Sequence, residues 1–299
     1  MSIDSSRLRG AFTALITPFS DDGNVDFGAL RGLVRRQLKG GIDGLVPCGT
    51  TGEAATMSPP ERLRVIETVV DEANGQVPII AGTGTNDTAR SISFTKQVSE
   101  IDGVDAALVV TPYYNKPGQP ELLRHFREVA DEGGLPVVLY NVPGRTGVSL
   151  AADTVARLAE HEAIVAIKEA SADMALGSAI RANTSDDFAL LSGDDFTTFP
   201  LVAIGGQGCV SVVSNLVPGD MSKMCAAALD GDFETARQIH LGIQPLARAL
   251  FRKSNPIPVK AAANMMGWCG PNFRGPLYDP DDDFKEELGN ALHAYGLVS

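Results

Sequence analysis

The chain of 299 residues has 44% hydrophobic residues and a formal net charge of −12 at pH 7. This length and apolar content allow a large buried core, while the acidic balance argues against nucleic acids and anionic membrane surfaces as partners. No apolar run approaches the roughly 20 residues that a membrane-spanning helix needs. The polar segment 1–10 does not resemble a signal peptide. We therefore expect a cytoplasmic protein that binds neither nucleic acid nor a membrane.

The cysteines and histidines indicate neither a metal site nor a disulfide framework. None of the four cysteines forms a CxxC pair, and the four histidines lack the spacing of paired metal ligands. We expect reduced, mostly buried thiols, and we expect that the protein uses no metal and no cofactor. The cysteines are Cys48, Cys209, Cys225 and Cys269.

Short apolar segments rich in β-branched residues alternate with longer amphipathic segments over the first two thirds of the chain. Their continuous apolarity predicts strands buried on both faces, as in a parallel sheet covered by helices. The predicted strands are residues 12–16, 44–47, 78–81, 106–110, 136–140, 164–168, 188–191 and 209–213. The predicted helices between them are residues 26–39, 58–72, 88–100, 120–132, 152–161, 174–182 and 196–204.

Eight βα units in a row predict an α/β fold of the (β/α)8 TIM barrel type. A doubly wound sheet is the alternative, but Gly82-Thr83-Gly84 lacks the third glycine of a dinucleotide-binding motif. After Asn215 only helices are predicted, at residues 220–229, 233–251, 259–266 and 284–293. We therefore expect a catalytic barrel over residues 1–218 and a C-terminal helical extension over residues 219–299.

Polar clusters follow five of the predicted strands, at residues 49–53, 111–115, 140–146, 168–169 and 192–195. In a TIM barrel the carboxyl ends of all strands meet at one face, where active sites lie. We therefore expect these clusters to converge on one site.

Lys168 ends the apolar segment 164–167, where a charged ammonium group is costly to bury. Strand alternation predicts that it shares a face with Ile164 and Ala166. Desolvation lowers the pKa of a lysine and increases the neutral fraction that can attack a ketone. The alternative is a lysine whose ammonium group extends to solvent. Lys260, the only rival, lies in the helical extension, and we expect it at the surface.

The neighbouring polar residues supply the groups that such a lysine needs. Tyr113, Tyr114 and Tyr140 follow or end strands, and phenols can relay protons; packing or an oligomer contact is the alternative. The turn with Thr50 and Thr51 offers hydroxyl and N–H groups for a carboxylate, unless it only caps the next helix.

Arg145 follows a Pro-Gly turn and could bind a second carboxylate with two hydrogen bonds. An arginine that is simply exposed at the surface is the alternative.

The sequence resembles the dihydrodipicolinate synthase family, within the superfamily of pyruvate-dependent aldolases. The resemblance runs from about Gly10 to the end of the chain. It rests on Gly-Thr-Thr-Gly-Glu at 49–53, Thr-Pro-Tyr-Tyr-Asn at 111–115, Tyr-Asn-Val-Pro-Gly-Arg-Thr at 140–146, Ile-Lys-Glu at 167–169, Leu-Ser-Gly-Asp-Asp at 191–195 and Asn-Pro-Ile-Pro-Val-Lys at 255–260.

The resemblance implies four catalytic residues. Lys168 matches the lysine that forms a Schiff base with pyruvate. Tyr140 matches the tyrosine that moves protons to and from the substrate, and Thr50 its partner in the relay. Tyr114 matches the tyrosine that completes the relay from the neighbouring subunit. The family is usually a homotetramer, built as a dimer of dimers.

The resemblance also implies four substrate-binding residues. Thr51 matches the contact to the pyruvate carboxylate, and Gly193 and Val210 match positions that line the pyruvate pocket. Arg145 matches the arginine that receives L-aspartate 4-semialdehyde. Sialic-acid lyases and sugar-acid aldolases usually lack this arginine, so condensation of the semialdehyde with pyruvate is the expected reaction. A 2-keto-3-deoxy sugar-acid aldolase, N-acetylneuraminate lyase and a non-catalytic barrel are the alternatives.

Two positions of the regulatory cleft depart from the lysine-inhibited members of the family. Pro59 and Arg90 stand where those members often carry a histidine and a glutamate, although Asn86 and Tyr113 are retained. An arginine in place of a carboxylate repels the ammonium groups of lysine. We predict weak or absent inhibition when lysine is added to an activity assay. Strong inhibition by sub-millimolar lysine would contradict this prediction.

Overall fold

Eight parallel strands form the centre of the molecule in the computed structural model, which describes residues 7–298. Most of the polar N-terminal segment, residues 1–6, therefore lies outside the described residues. The strands are β1 (Gly10–Ala14), β2 (Gly44–Val46), β3 (Ile80–Gly82), β4 (Ala106–Val110), β5 (Val137–Asn141), β6 (Ile164–Glu169), β7 (Ala189–Ser192) and β8 (Gly208–Ser211).

The sheet closes into a barrel. Its strands follow the order β2-β1-β8-β7-β6-β5-β4-β3, and every neighbouring pair is parallel. The two ends meet where Leu45 pairs with Ile79 in a parallel bridge. There Gly82 N also donates to Pro47 O at 2.9 Å. The predicted (β/α)8 fold is confirmed, and the doubly wound alternative is excluded because the strand order runs around a ring.

Helices connect the strands and continue after β8. They are α1 (Phe27–Lys39), α2 (Pro59–Ala73), α3 (Thr88–Ser99), α4 (Gln119–Glu132), α5 (Pro143–Thr146), α6 (Ala152–Ala159), α7 (Met174–Ala182), α8 (Thr198–Ala203), α9 (Pro218–Leu229), α10 (Phe233–Leu250), α11 (Ile257–Met265) and α12 (Asp282–Tyr295). The short α5 was not predicted; we expected only a turn there.

Local sequence signals explain where the early helices begin. The Asp26 carboxylate accepts a hydrogen bond from Ala29 N at 2.9 Å and so caps the N-terminus of α1. At the start of α2 the Glu61 carboxylate accepts from Ser58 N at 2.8 Å as part of a capping box, and Pro59 occupies the first turn. These caps fix how the loops after β1 and β2 enter their helices.

The barrel separates two apolar layers. The outer layer lies between strands and helices, and the inner layer fills the barrel with buried side chains from all eight strands or their flanks. Tyr140, Ala166 and Val210 belong to the inner layer. A residue of the inner layer at the carboxyl end of a strand therefore lies at the floor of any site above the barrel.

A bulge at the start of β6 changes one predicted face. Val137 of β5 pairs with Ile164 but Val138 pairs with Ala166, so Val165 is the extra residue. The prediction that Ile164 shares a face with Lys168 was wrong, because Ile164 packs in the outer layer. Beyond the bulge alternation is regular, and Ala166 lies in the inner layer as predicted.

The helix α9 packs against the barrel. Its Ser222 Oγ donates to Asp43 Oδ2 at 2.8 Å, and Cys225 Sγ lies 3.8 Å from Cys209 Sγ of β8. We propose the division into a barrel over residues 1–218 and a helical domain over 219–299 as a working description, with α9 in contact with both.

All four cysteines are free and buried, as expected. Within residues 7–298 no helix has the length and apolarity of a membrane span. The cytoplasmic location stays a prediction.

Gln37 links α1 to the segment after β8. Its amide nitrogen donates to Ser214 O and Asn215 O, both at 3.0 Å, and its amide oxygen accepts from Thr13 Oγ1 at 2.6 Å. The side chain is 1% exposed, so water cannot replace these bonds.

We predict that Gln37→Leu lowers the free energy of unfolding by about 2 to 4 kcal/mol, because two buried carbonyl groups lose their donor. Urea denaturation followed by circular dichroism measures this change. Gln238→Leu, at an exposed position of α10, is the matched control and should change stability by less than about 0.5 kcal/mol. Equal destabilisation by both substitutions would contradict the role of Gln37.

Candidate active site

Lys168 is buried near the carboxyl end of β6, with 6% of its surface exposed. Its Nζ lies 4.2 Å from the centre of the Tyr140 ring. Tyr140 is the residue of β5 that pairs with Lys168 in the sheet. None of the ion pairs between described residues includes Lys168. The alternative of a lysine that extends to solvent is therefore excluded. A buried ammonium group that faces only an aromatic ring is stabilised weakly.

Small residues make room for the Lys168 side chain. Ala166 lies two residues earlier on the same face, and Gly193 follows β7 next to it. A Cβ atom placed on Gly193 would lie 2.9 Å from Lys168 Cε and 2.6 Å from Ala170 Cβ. The backbone at Gly193 can therefore approach the lysine only because this residue has no side chain. Val210 of β8 is 1% exposed and belongs to the same inner layer.

A cavity of about 770 Å³ opens above this floor. Of the residues singled out from the sequence, its wall contains Thr50, Tyr113, Tyr140 and Arg145. Lys168, Thr51, Gly193 and Val210 do not line the cavity, but Lys168 contacts Tyr140 and Thr51 contacts Asn255 in its wall. Tyr140 joins the two groups, since it contacts Lys168 and also lines the cavity.

The turn after β2 carries both threonines. Thr50 is partly exposed in the cavity wall, and Thr51 is 3% exposed behind it. Asn255 Nδ2 donates to Thr51 Oγ1 at 2.9 Å. Because this bond uses the hydroxyl as an acceptor, the hydroxyl hydrogen of Thr51 is free to donate to a ligand. Within residues 7–298 no direct hydrogen bond joins the hydroxyl groups of Thr50 and Tyr140.

Arg145 lies in α5 and lines the cavity. The residue is exposed, and its Nη2 donates to Asn255 O at 3.1 Å. This single bond leaves most of the guanidinium donors available for an anion. The arginine is therefore held beside the cavity, in contrast to an arginine that points freely into solvent.

Tyr113 and Tyr114 differ in their surroundings. Tyr113 is 38% exposed and lines the cavity, whereas Tyr114 is 89% exposed with a φ of 72°. The chain does not bring its own Tyr114 to Lys168. A large aromatic residue held in a left-handed conformation at the surface favours contact with another molecule.

Lys260 is a correction to the sequence analysis, because the residue is not at the surface. It is 0% exposed, and its Nζ lies 2.5 Å from Glu53 Oε1 of the Thr50–Thr51 turn. Its ammonium group also lies 4.0 Å from the centre of the Phe19 ring. Burial lowers the pKa of Lys260 and the Glu53 carboxylate opposes this shift. The prediction was wrong because α11, although part of the helical extension, has most of its residues buried.

Two buried carboxylates support the loops around the floor. Glu169 Oε2 accepts from Asn141 Nδ2 at 2.8 Å, and burial raises the pKa of Glu169. Asp195 Oδ2 accepts from Val212 N at 3.0 Å, and burial raises the pKa of Asp195 to about 6. Neither residue lines the cavity, so we assign them to the positioning of the loops after β6 and β8.

The potential metal ligands of the described residues are not grouped into a site. Among the residues that the structure describes, no three His, Cys, Asp or Glu side chains are grouped as a metal site would require. The expectation that the enzyme needs no metal and no cofactor stays a prediction.

Sequence reasoning missed Glu53, Asn255 and Lys260 as contributors to the site. All three lie in motifs that carried the resemblance, but no pattern within one sequence pairs residues that are more than 200 positions apart. Only the folded chain shows that Asn255 contacts Thr51 and that Lys260 contacts Glu53.

The regulatory positions line the same cavity. Pro59 and Arg90 are among its lining residues, and Arg90 Nε lies 3.4 Å from Asp87 Oδ2. The weak response to lysine stays a prediction.

Comparisons with known proteins agree with this architecture. A 4-hydroxy-tetrahydrodipicolinate synthase from Pelobacter propionicus is 46% identical over 97% of this chain and 99% of its own. The chloride-inhibited dihydrodipicolinate synthase from Acinetobacter baumannii, solved in complex with pyruvate, is 43% identical with a TM-score of 0.95. That comparison covers 97% of this chain and 99% of the other.

A further solved structure is a monomeric dihydrodipicolinate synthase variant, 40% identical with a TM-score of 0.95, covering 98% of this chain and 99% of its own. The model of the dihydrodipicolinate synthetase family matches residues 7–295. The protein described here therefore belongs to the dihydrodipicolinate synthetase family.

Proposed function

We propose that the protein is a 4-hydroxy-tetrahydrodipicolinate synthase, a lyase that condenses pyruvate with L-aspartate 4-semialdehyde. The observation that carries the proposal is Lys168, which is buried, has no carboxylate partner among the described residues and lies beneath a cavity. A buried amine without a counter-ion is a nucleophile for a ketone. The similarity to synthases over nearly the whole chain supports the same reaction.

In the proposed reaction the Lys168 amine attacks the ketone carbon of pyruvate and forms a carbinolamine. Loss of water gives the Schiff base, and loss of a proton from the methyl carbon gives the enamine. The enamine carbon then attacks the aldehyde carbon of the semialdehyde. The amino group of the semialdehyde closes the ring at the former ketone carbon and releases the lysine. No redox step occurs, so the carbon chemistry needs no electron carrier.

The binding roles follow from where the polar groups lie. The Thr51 hydroxyl and the N–H groups of its turn bind the pyruvate carboxylate, and the backbone at Gly193 and the Val210 side chain limit the pocket. Arg145 binds the carboxylate of the semialdehyde at the cavity mouth. Tyr140 contacts the lysine and exchanges protons with the intermediates through Thr50.

The relay needs Tyr114 from a second subunit in this proposal. The exposed, left-handed Tyr114 supports a subunit contact, and the homotetramer built as a dimer of dimers is the assembly that we propose. A monomeric synthase variant exists among the similar structures. The assembly of this chain therefore requires a direct test.

The main alternative is another pyruvate-dependent aldolase, such as a 2-keto-3-deoxy sugar-acid aldolase or N-acetylneuraminate lyase. Such an enzyme would use the same lysine but would bind a polyhydroxylated chain at the cavity mouth. Arg145 favours the semialdehyde, because its guanidinium recognises a carboxylate and not a run of hydroxyl groups. A non-catalytic barrel would form no adduct at all.

We predict that the enzyme consumes pyruvate only when aspartate semialdehyde is present, and that it does not cleave 2-keto-3-deoxy sugar acids. Arg145→Ala should raise the KM for the semialdehyde roughly tenfold or more, because the substrate carboxylate loses a charged donor. A coupled assay with each substrate measures both effects. Arg157→Ala, which removes a surface arginine of α6, is the control. Faster turnover of a sugar acid than of the semialdehyde would favour the alternative.

Subunit mixing tests the role of Tyr114. We predict that Tyr114→Phe and Lys168→Ala each lower activity by at least about 100-fold, since each removes a proton-transfer or nucleophilic group. Mixed dimers of the two variants would contain one site with both native groups. Activity should return on mixing if Tyr114 acts in the neighbouring subunit. No recovery in verified mixed dimers would mean that Tyr114 acts within its own chain or not at all.

A further inference from the structure

Two parts of the chain that are far apart in sequence form the wall around Thr51. One is the turn after β2, and the other is the segment that leads into α11, with Asn255 and Pro256 in the cavity wall. The Asn255 amide donates to Thr51 Oγ1. This hydrogen bond orients the Thr51 side chain only if the two segments keep a fixed position relative to each other.

The Lys260–Glu53 ion pair is the strongest polar contact between these segments. Both side chains are at most 1% exposed, and their charged atoms lie 2.5 Å apart. Glu53 Oε2 also accepts from Arg274 N at 3.2 Å. The second carboxylate oxygen is therefore bound to the C-terminal region as well.

Glu53 shapes the turn through its backbone. The residue has a φ of 53°, a conformation that L residues rarely adopt, and its N–H donates to Thr50 O at 3.1 Å. Within the same turn Gly52 N donates to Gly49 O at 3.1 Å. A strained conformation persists only where the surroundings determine it, and the Lys260 ammonium group fixes the Glu53 side chain.

The lysine is in turn tied to Asn255. Lys260 N donates to Pro256 O at 3.0 Å, so Asn255, Pro256 and Lys260 belong to one turn at the start of α11. The rings of Phe19 and Phe273, with centres 4.0 and 4.9 Å from Nζ, enclose the ammonium group. Moving Lys260 away from Glu53 would therefore also move Asn255 away from Thr51.

We propose that Lys260 and Glu53 are positioning residues for pyruvate binding, which hold the Thr51 hydroxyl in place through Asn255. This inference rests on the proposed function, because it assigns the pyruvate carboxylate to Thr51. The pair does not touch the reacting atoms and leaves the Lys168 amine unchanged. Its loss therefore weakens pyruvate binding more than it slows the chemistry.

A purely structural role is the competing explanation, and it makes a different prediction. A buried ion pair often contributes little net stability, and replacing both partners by apolar residues can leave stability unchanged. Replacing one partner by an apolar residue leaves a buried charge alone and destabilises the fold strongly. The double variant Glu53→Met with Lys260→Met therefore separates positioning from stability.

The experiment measures the pyruvate concentration that gives half-maximal trapping of the enzyme by borohydride, together with the KM for pyruvate and kcat. In the double variant we expect half-maximal trapping to need roughly tenfold more pyruvate, with kcat within about threefold of the native value. Asn255→Ala should produce a similar rise. Adding it to the double variant should produce little further change, because the three residues act in one chain of contacts.

Lys285→Met is the matched control, since this lysine of α12 forms an ion pair at a more exposed position, with Asp279 before the helix. It should leave trapping unchanged. Glu53→Gln keeps the shape and the acceptor oxygen, and we expect a smaller rise than in the double variant. If the double variant does not fold, Glu53→Gln is used in its place.

The inference would be overturned if a folded double variant needed no more pyruvate than the native enzyme for half-maximal trapping. If the double variant does not fold, the same result for Glu53→Gln would overturn it. Fully additive effects of Asn255→Ala would also overturn it, because the pair would then act by another route. Failure of the native enzyme to be trapped by pyruvate would instead refute the proposed function on which the inference rests. The native enzyme and the variants therefore report separately on the two claims.

Discussion

The burial of one lysine amine at the end of a closed barrel is the constraint on which the site depends. Lys168 has no carboxylate partner among the described residues and lies against the Tyr140 ring. No carboxylate therefore offsets the cost of burying a charged ammonium group at this position. Gly193 lies so close to this lysine that a Cβ atom placed on it would be 2.9 Å from Lys168 Cε. The barrel thus holds in place, without a ligand, the amine that we propose as the nucleophile.

A second buried lysine shows that burial alone does not make a nucleophile. Lys260 is less exposed than Lys168, but it faces the Glu53 carboxylate and two aromatic rings. The ion pair joins the C-terminal helices to the turn at the cavity. The two lysines therefore differ above all in their partners.

Much of the fold followed from the sequence, because eight continuous apolar segments in alternation with helices have few architectures other than a closed parallel barrel. Lys168 was also identifiable, since a charged side chain at the end of such a segment is costly to bury and therefore indicates a function. The bulge at Val165 was not predictable, because it depends on how β5 and β6 pair. The burial of Lys260 was missed for a similar reason. Its partner lies on a distant turn, and no local pattern indicates their contact.

Mass spectrometry of the enzyme after reduction with borohydride in the presence of pyruvate tests the central claim most directly. Proteolysis locates the modification, and the native chain without pyruvate is the reference. If Lys168 is the nucleophile, one peptide gains the mass of a reduced pyruvate imine, and fragmentation places it on Lys168. An adduct on Lys260 or on another lysine, or no adduct in a folded enzyme, would contradict the account.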